Sequence, residues 1–346
     1  MRNISEIDKN FKIETNIDKA DIKFYNAREL PFRIYGVFYE DGKFRRLPEA
    51  VAKTVSEGVY SLHANTAGGR VRFRTNSSYV AISAKMENVG KMSHFALCGS
   101  SGFDLYANGK YVKTYIPPFN IIDGYEGVIE LGASEEADIT INFPLYSDVC
   151  ELYIGLEDKA TVSEPTPYRI EKPIVYYGSS ITQGGCASRP GSSYQSIISR
   201  RFDADYINLG FSGNAKGEDE IADYIKNLDM SLFVYDYDFN APDLAHLVAT
   251  HERMFLKIRE ANPELPIVIM SKPKYELTPS DYARREAIIK TYENALARGD
   301  KNVYFIPGSQ LMELAKLEGT VDSTHPTDLG FYSMAMTLSD MLAKIL

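Results

Sequence analysis

Through the first half of the chain, apolar and polar residues alternate in short runs. Arg70-Val71-Arg72-Phe73-Arg74 sets a charge beside every apolar residue, the two-residue period of a strand with one solvated face. Tyr79-Val80-Ala81-Ile82-Ser83-Ala84 comes after an Asn76-Ser77-Ser78 turn, and the two runs predict a hairpin. Phe103–Ala107 and Tyr111–Tyr115 flank Asn108-Gly109, a pair that accepts the positive φ of a tight hairpin turn. Gly127–Leu131, Ile139–Phe143 and Val149–Ile154 extend the series. Evenly spaced short strands without convincing helices predict an antiparallel β-sandwich of jelly-roll type.

Ser163-Glu164-Pro165-Thr166-Pro167 has linker composition, so the chain divides into a sandwich over 1–165 and a second domain over 172–346. Beyond the linker the pattern becomes strand–helix alternation. Strands are predicted at Ile174–Tyr177, Tyr206–Leu209, Leu232–Tyr235, Ile267–Met270 and Val303–Ile306. Helices are predicted at Ser193–Phe202, Glu218–Lys226, Leu244–Ala261, Asp281–Arg298 and Asp328–Ile345. This is a parallel sheet of about five strands covered on both faces, a three-layer α/β/α fold. In the last helix, Leu329, Tyr332, Met336 and Met341 are read as one buried side.

Composition narrows the partners. The chain has 346 residues, 44% hydrophobic and 25% charged, enough to build a substantial core. A net charge of −9 argues against nucleic acid and anionic membrane surfaces, both of which reward clustered Lys and Arg. Met1-Arg2-Asn3-Ile4-Ser5-Glu6 carries no apolar signal region and no run is long enough to span a membrane, so a cytoplasmic protein is expected. Cys98, Cys150 and Cys186 are too few and scattered for a disulfide framework or a zinc site. No metal or other cofactor is implied, and oligomeric state is not encoded in any pattern we recognise.

The candidate chemistry begins where Ile174-Val175-Tyr176-Tyr177 breaks at Gly178 and delivers Ser179 and Ser180 at the carboxyl end of a strand, where α/β sheets bind ligands. A serine needs a base to act as nucleophile; the plainer reading is a pair of turn residues. Asp322-Ser323-Thr324-His325-Pro326 supplies a base and a carboxylate three residues apart. Pro326 keeps His325 out of helical geometry and suits the first turn of the following helix, so Asp322 can reach the imidazole. The alternative there is a helix cap from Asp322 or Thr324, which leaves the histidine unexplained. His246 and His251 lie in a helical pattern and are read as surface or core-edge residues. Donors for a developing oxyanion could come from two further strand ends: the backbone N–H of Gly213, after Leu209, and the side-chain amide of Asn240, after Tyr235. Gly213 as a plain loop glycine and Asn240 as a helix N-cap are the competing assignments.

The order Gly178-Ser179-Ser180, Gly213, Asn240, Asp322-x-x-His325 resembles the four blocks of the SGNH (GDSL-type) hydrolases, and the resemblance covers the second half of the chain. It implies a flavodoxin-like fold, Ser180 as nucleophile, His325 as general base oriented by Asp322, and an oxyanion hole from Ser180, Gly213 and Asn240. Ser179 replaces the family's usual Asp, and Asp238-Phe239-Asn240-Ala241 replaces its Gly-x-Asn-Asp block. Gly102-Phe103-Asp104-Leu105-Tyr106 is similar to the Gly-x-Asp-Leu-Tyr stretch of a branch with an N-terminal β-sandwich.

The function so implied is hydrolysis of short-chain acyl esters, acetyl above all, carried on a small molecule or oligosaccharide. An acyltransferase sharing the same acyl-enzyme is the alternative, and a non-catalytic carbohydrate-binding protein is a second. Arg70 and Arg74 are possible substrate contacts, but a solvated strand face accounts for them more simply.

Overall fold

The computed structural model describes residues 15–132 and 135–346; the polar opening Met1–Glu6 lies outside them. Besides a small hairpin of Phe38–Glu40 with Lys43–Arg45, the first half forms two large antiparallel sheets. One runs Ile22–Asn26, Asp148–Glu157, Tyr79–Glu87, Gly124–Glu130 in spatial order. The other runs Val162–Ser163, Arg70–Thr75, Ala137–Asn142, Phe103–Ala107, Lys110–Tyr115, with Arg33–Tyr35 also paired to Arg70–Thr75. Val71, Phe73, Ile139 and Ile141 of the second sheet meet Val80, Ile82, Leu152 and Ile154 of the first in one apolar core.

The Asn108-Gly109 hairpin forms as predicted: φ is +48° and +73° at the two residues, and Ala107 pairs with Lys110. The predicted hairpin between Arg70–Arg74 and Tyr79–Ala84 does not form. Those strands belong to different sheets, and Asn76-Ser77-Ser78 carries the chain across the sandwich edge. The alternating pattern identifies the inward face of each strand but is silent on whether two inward faces lie side by side or opposite each other.

Two short helices, Glu49–Val55 and Glu57–Leu62, are absent from the sequence reading. At seven and six residues they are too short for a helical period to stand out. Ser56 caps the second by accepting from the Val59 N–H at 3.2 Å. Their Ala52, Val59, Val51 and Leu62 side chains pack on the core of the second half.

That second half is a sheet of five parallel strands in the spatial order Ala204–Gly210, Ile170–Gly178, Leu232–Asp236, Ile267–Met270, Val303–Ile306. Numbered along the chain this is 2-1-3-4-5, the flavodoxin-like order, whose ligand crevice lies beside the first strand. Strand residues alternate between two cores. Val175, Tyr177, Phe233 and Ile267 pack with helices Asp219–Ile225, Leu244–Ala261 and Pro279–Ala297, whereas Ile174, Tyr176, Val234 and Val268 pack with Tyr194–Phe202 and Asp328–Leu342.

Two side-chain assignments change. The buried side of the last helix is Phe331, Met334, Ala335, Leu338 and Leu342, whereas Leu329 and Tyr332 are exposed. Phe331, Ala335, Leu338 and Leu342 follow the four-three-four spacing of one helical stripe, which competes with the chosen stripe in an apolar-rich helix. His251 is buried, not peripheral: it stacks on Tyr235 at 4.7 Å and its Nδ1 meets Thr291 Oγ1 at 2.8 Å. It falls on the stripe Leu247, His251, Met254, Ile258, and burial pulls its pKa down to about 3, so it is neutral.

The halves are locked by arginines. Arg46, fully buried, donates to the carbonyls of Leu62 (2.9 Å), Asn65, Asn208 (3.1 Å) and Gly210 (2.6 Å). Arg70 pairs with Asp205 and donates to the Tyr168 hydroxyl at 3.1 Å. The Arg70 face is therefore not solvated: it is turned toward the second half.

Candidate active site

The first parallel strand ends at Gly178, where an added Cβ would sit 2.2 Å from both the Asp236 carbonyl and Thr182 Oγ1. No larger residue can occupy that turn. Ser179 then caps a single helical turn, Ser180–Gln183, by accepting from the Ile181 N–H at 3.2 Å, and the turn closes at Gly184. Strand and helix join without a spacer, so Ser180 stands at the carboxyl edge of the sheet, 7% exposed.

His325 arrives from the far end of the chain. Its Nε2 lies 2.9 Å from Ser180 Oγ and its Nδ1 2.8 Å from Asp322 Oδ2. The second Asp322 oxygen accepts the backbone N–H groups of Thr324 (3.1 Å) and His325 (2.8 Å), so one carboxylate both shapes the loop and orients the imidazole. Partial burial pushes the Asp322 carboxyl up, but the His325 N–H donors and charge outweigh it and hold the pKa below the usual carboxylate value. The last helix is capped by Thr327, whose Oγ1 accepts from Gly330 N at 3.3 Å. Pro326 thus precedes the cap instead of starting the helix, and Asp322 and Thr324 are not needed as caps.

Gly213 and Asn240 reach the same edge. Gly178 pairs across the sheet with Gly210 on one side and Asp236 on the other, which brings both following loops beside Ser180. Ser212 N–H donates to Gln183 Oε1 at 3.0 Å, and Gly213 follows with φ +72° and open space around its Cα. Asn240 Oδ1 accepts from Ala215 N at 3.3 Å, which ties the two loops together. Asp243, not Asn240, caps the next helix.

Several contributors were not legible in the sequence because their contacts join the two halves. Tyr146 donates its hydroxyl to the Ser180 carbonyl at 3.2 Å. Gln183, fully buried, donates Nε2 to Asn65 Oδ1 (3.1 Å) and the Leu145 carbonyl (3.3 Å). The His94 ring lies 5.5 Å from that of His325, and His94, Cys186 and His325 offer ligand atoms within 4.8 Å of one another. Both nitrogens of His325 are already engaged, and burial pushes the Cys186 thiol up to about 11, so it is protonated.

Asp236 and Asp238 lie beneath this edge. Both are buried, among the described residues neither Asp236 oxygen has a hydrogen-bond partner, and Asp238 Oδ2 accepts from Lys272 N at 3.1 Å. Burial, then the Asp238 charge, raise Asp236 well above its ordinary value; burial raises Asp238 to about 6. A raised carboxyl stabilises the fold fully below the unfolded pKa near 4 and loses that contribution as pH climbs through its folded value. Thermal stability should therefore fall as pH rises above about 4, and Asp236→Asn should flatten that fall. Melting curves across the range would check it; an identical slope in wild type and variant would refute the assignment.

Residues 171–343 match the profile of the GDSL-like lipase/acylhydrolase family, and residues 22–162 match that of the N-terminus of SGNH-hydrolase-type esterases. No curated protein matches the chain. Among solved structures, a protein described as a GDSL-like lipase from Bacteroides ovatus superposes with a TM-score of 0.84 at 29% identity, covering 94% of this chain and 98% of that one. The salicylyl-acyltransferase of a tetracycline biosynthetic pathway gives 0.77 at 21%, with coverage of 94% and 98%. A family two carbohydrate esterase from Cellvibrio japonicus gives 0.63 at 14%, again with 94% and 98%. The last two likenesses concern the fold.

Proposed function

Because the chain belongs to the GDSL-like lipase/acylhydrolase family, we propose that it is a serine esterase removing short acyl groups, acetyl foremost, from a carbohydrate. The observation that carries this reading is the continuous chain from Ser180 Oγ through His325 to Asp322, at 2.9 and 2.8 Å.

In this reading Ser180 Oγ attacks the ester carbonyl while His325 Nε2 takes its proton, and Asp322 stabilises the imidazolium that results. The negative oxygen is held by the Ser180 and Gly213 N–H groups and the Asn240 amide. His325 returns the proton to the departing alkoxide, leaving an acyl-serine. Water then attacks the acyl carbon, gives its proton to His325, and the acid leaves as Ser180 is reprotonated. These steps need no metal or cofactor. Residues 172–346 would be the catalytic domain, and the sandwich over 1–165 would shape its pocket, as the Tyr146 and Asn65 contacts suggest.

A small acyl group suits a serine only 7% exposed, and the sharing of this fold with a carbohydrate esterase supports a carbohydrate as the carrier. Transfer of the acyl group to a second hydroxyl is the alternative favoured by the acyltransferase of the same fold. Acetate release from acetylated oligosaccharides, compared with aryl esters of increasing chain length and repeated with a sugar acceptor, separates these outcomes. Activity confined to long-chain esters would overturn the carbohydrate reading.

Asn240→Ala removes one oxyanion donor and should lower kcat by roughly 10²–10³-fold with little change in KM. Steady-state kinetics on an aryl acetate would show it. Wild-type turnover would remove Asn240 from the site.

A further inference from the structure

Away from Ser180, the strand Arg70–Thr75 presents Arg70, Arg72 and Arg74 on one face. Two of them are ion-paired: Arg70 with Asp205, and Arg74 with Glu136 at 2.6 Å, although the Arg74 Nε is also buried without a hydrogen-bond partner among the described residues. Arg72 is not. It is 7% exposed, and among the described residues its buried Nη1 has no hydrogen-bond partner and no carboxylate forms an ion pair with it. Its guanidinium lies over the Tyr168 ring at 3.9 Å, which holds the group in place but offers no acceptor.

Arg72 lines a cavity of about 380 Å³ between the sandwich and the α/β half, and none of Ser180, Asp322 and His325 lines it. Thr140, Asn142, Ser199 and Arg200 share its wall. Three arginines and two aspartates face the space. The aspartates are engaged: Asp138 accepts from Thr166 N (2.8 Å) and Oγ1 (2.7 Å), and Asp203 from Arg169 N (3.1 Å). The remaining unmet demand in the wall is for an acceptor.

We propose that this cavity is a second ligand site, for a sugar-sized molecule bearing one carboxylate or phosphate group. A buried cation without an acceptor is costly to keep, and the planar fork of a guanidinium matches an oxyanion through two parallel hydrogen bonds. The volume falls within the range of small-molecule sites, and wall hydroxyls and amides are the partners a polyhydroxylated body requires. The carboxylate or phosphate sits on Arg72, with the body of the molecule against Thr140 and Ser199.

Calorimetric titration of the full chain with glucuronate, glucose 6-phosphate, inorganic phosphate and neutral glucose tests the assignment. Saturable one-to-one binding of glucuronate or glucose 6-phosphate, with none for glucose, is expected, and the tighter of the two identifies the group. Arg72→Met should weaken that binding at least tenfold. The ligand-free melting temperature of this variant should also equal or exceed that of wild type, because an unpaired buried charge has been removed. Should Arg72→Met fail to fold, Arg72→Lys keeps the charge but loses the fork, and it should also bind more weakly. Absence of saturable anion binding to folded wild type, undiminished binding by the variants, or a large loss of ligand-free stability would each overturn the proposal. Binding is read without ester turnover, so this result stands apart from that of the esterase assays.

Discussion

Ser180→Ala is expected to lower hydrolysis of a small aryl acetate on the order of 10⁴-fold or more while leaving the fold intact. The substitution deletes one oxygen, and that oxygen bonds only His325 among the described residues. The capping role belongs to Ser179, which remains, and the Tyr146 contact is to the Ser180 backbone carbonyl, which also remains. Chemistry and stability are thus separable at this position. Intact mass after treatment with a fluorophosphonate gives the matching readout, a single adduct on wild type and none on the variant. Labelling of the variant at the same rate would place the nucleophile elsewhere, and equal turnover would remove the acyl-enzyme from the mechanism.

Arg46→Met should cost about 3–5 kcal/mol of folding free energy, the largest stability effect we expect from one surface-to-core-neutral exchange of similar length. The guanidinium serves four carbonyls, those of Leu62, Asn65, Asn208 and Gly210, and lies 5.0 Å from the Phe211 ring. Among the described residues it has no salt bridge, and burial pulls its pKa down to about 10, still protonated at neutral pH. Methionine fills similar space but takes the guanidinium donors away from those carbonyls in a dry interior, the Leu62 carbonyl keeping a backbone donor, the Asn65 N–H at 3.1 Å. Two of them belong to the strand that leads into the Gly213 loop, so turnover should fall together with stability. Urea unfolding monitored by tyrosine fluorescence measures the change. A loss below about 1 kcal/mol would mean that water replaces the guanidinium.

What the sequence disclosed follows from the range over which each signal acts. Strand ends and loops carry their chemistry locally: a glycine that must turn, a serine after it, an acid three residues before a histidine. Ser180, Asp322 and His325 could therefore be picked out, though 145 residues separate the first from the last. Partnership between distant faces leaves no such local mark. The strands flanking Asn76-Ser77-Ser78 read as neighbours because each shows the right period, and only the packed sandwich places them in opposing sheets. The Arg70 face read as solvated because alternating charge usually is, and the second half that covers it begins about a hundred residues later. His251 reads as peripheral by its polarity, but it lies on the buried stripe with Leu247, Met254 and Ile258. Tyr146, Asn65 and Gln183 could not be read as site supports, since their partners lie in the other half.

The glycines at the active edge will drift differently over generations. At Gly178 and Gly210 an added Cβ would meet backbone atoms at 2.2 and 2.1 Å, so descendants that lose them lose the architecture. At Gly213 nothing lies within 4 Å of an added Cβ, and the constraint is the +72° torsion alone. Asparagine visits that torsion more readily than other side chains. Selection there preserves an angle, not an emptiness, and the lineage has one open road at Gly213 where at its neighbours it has none.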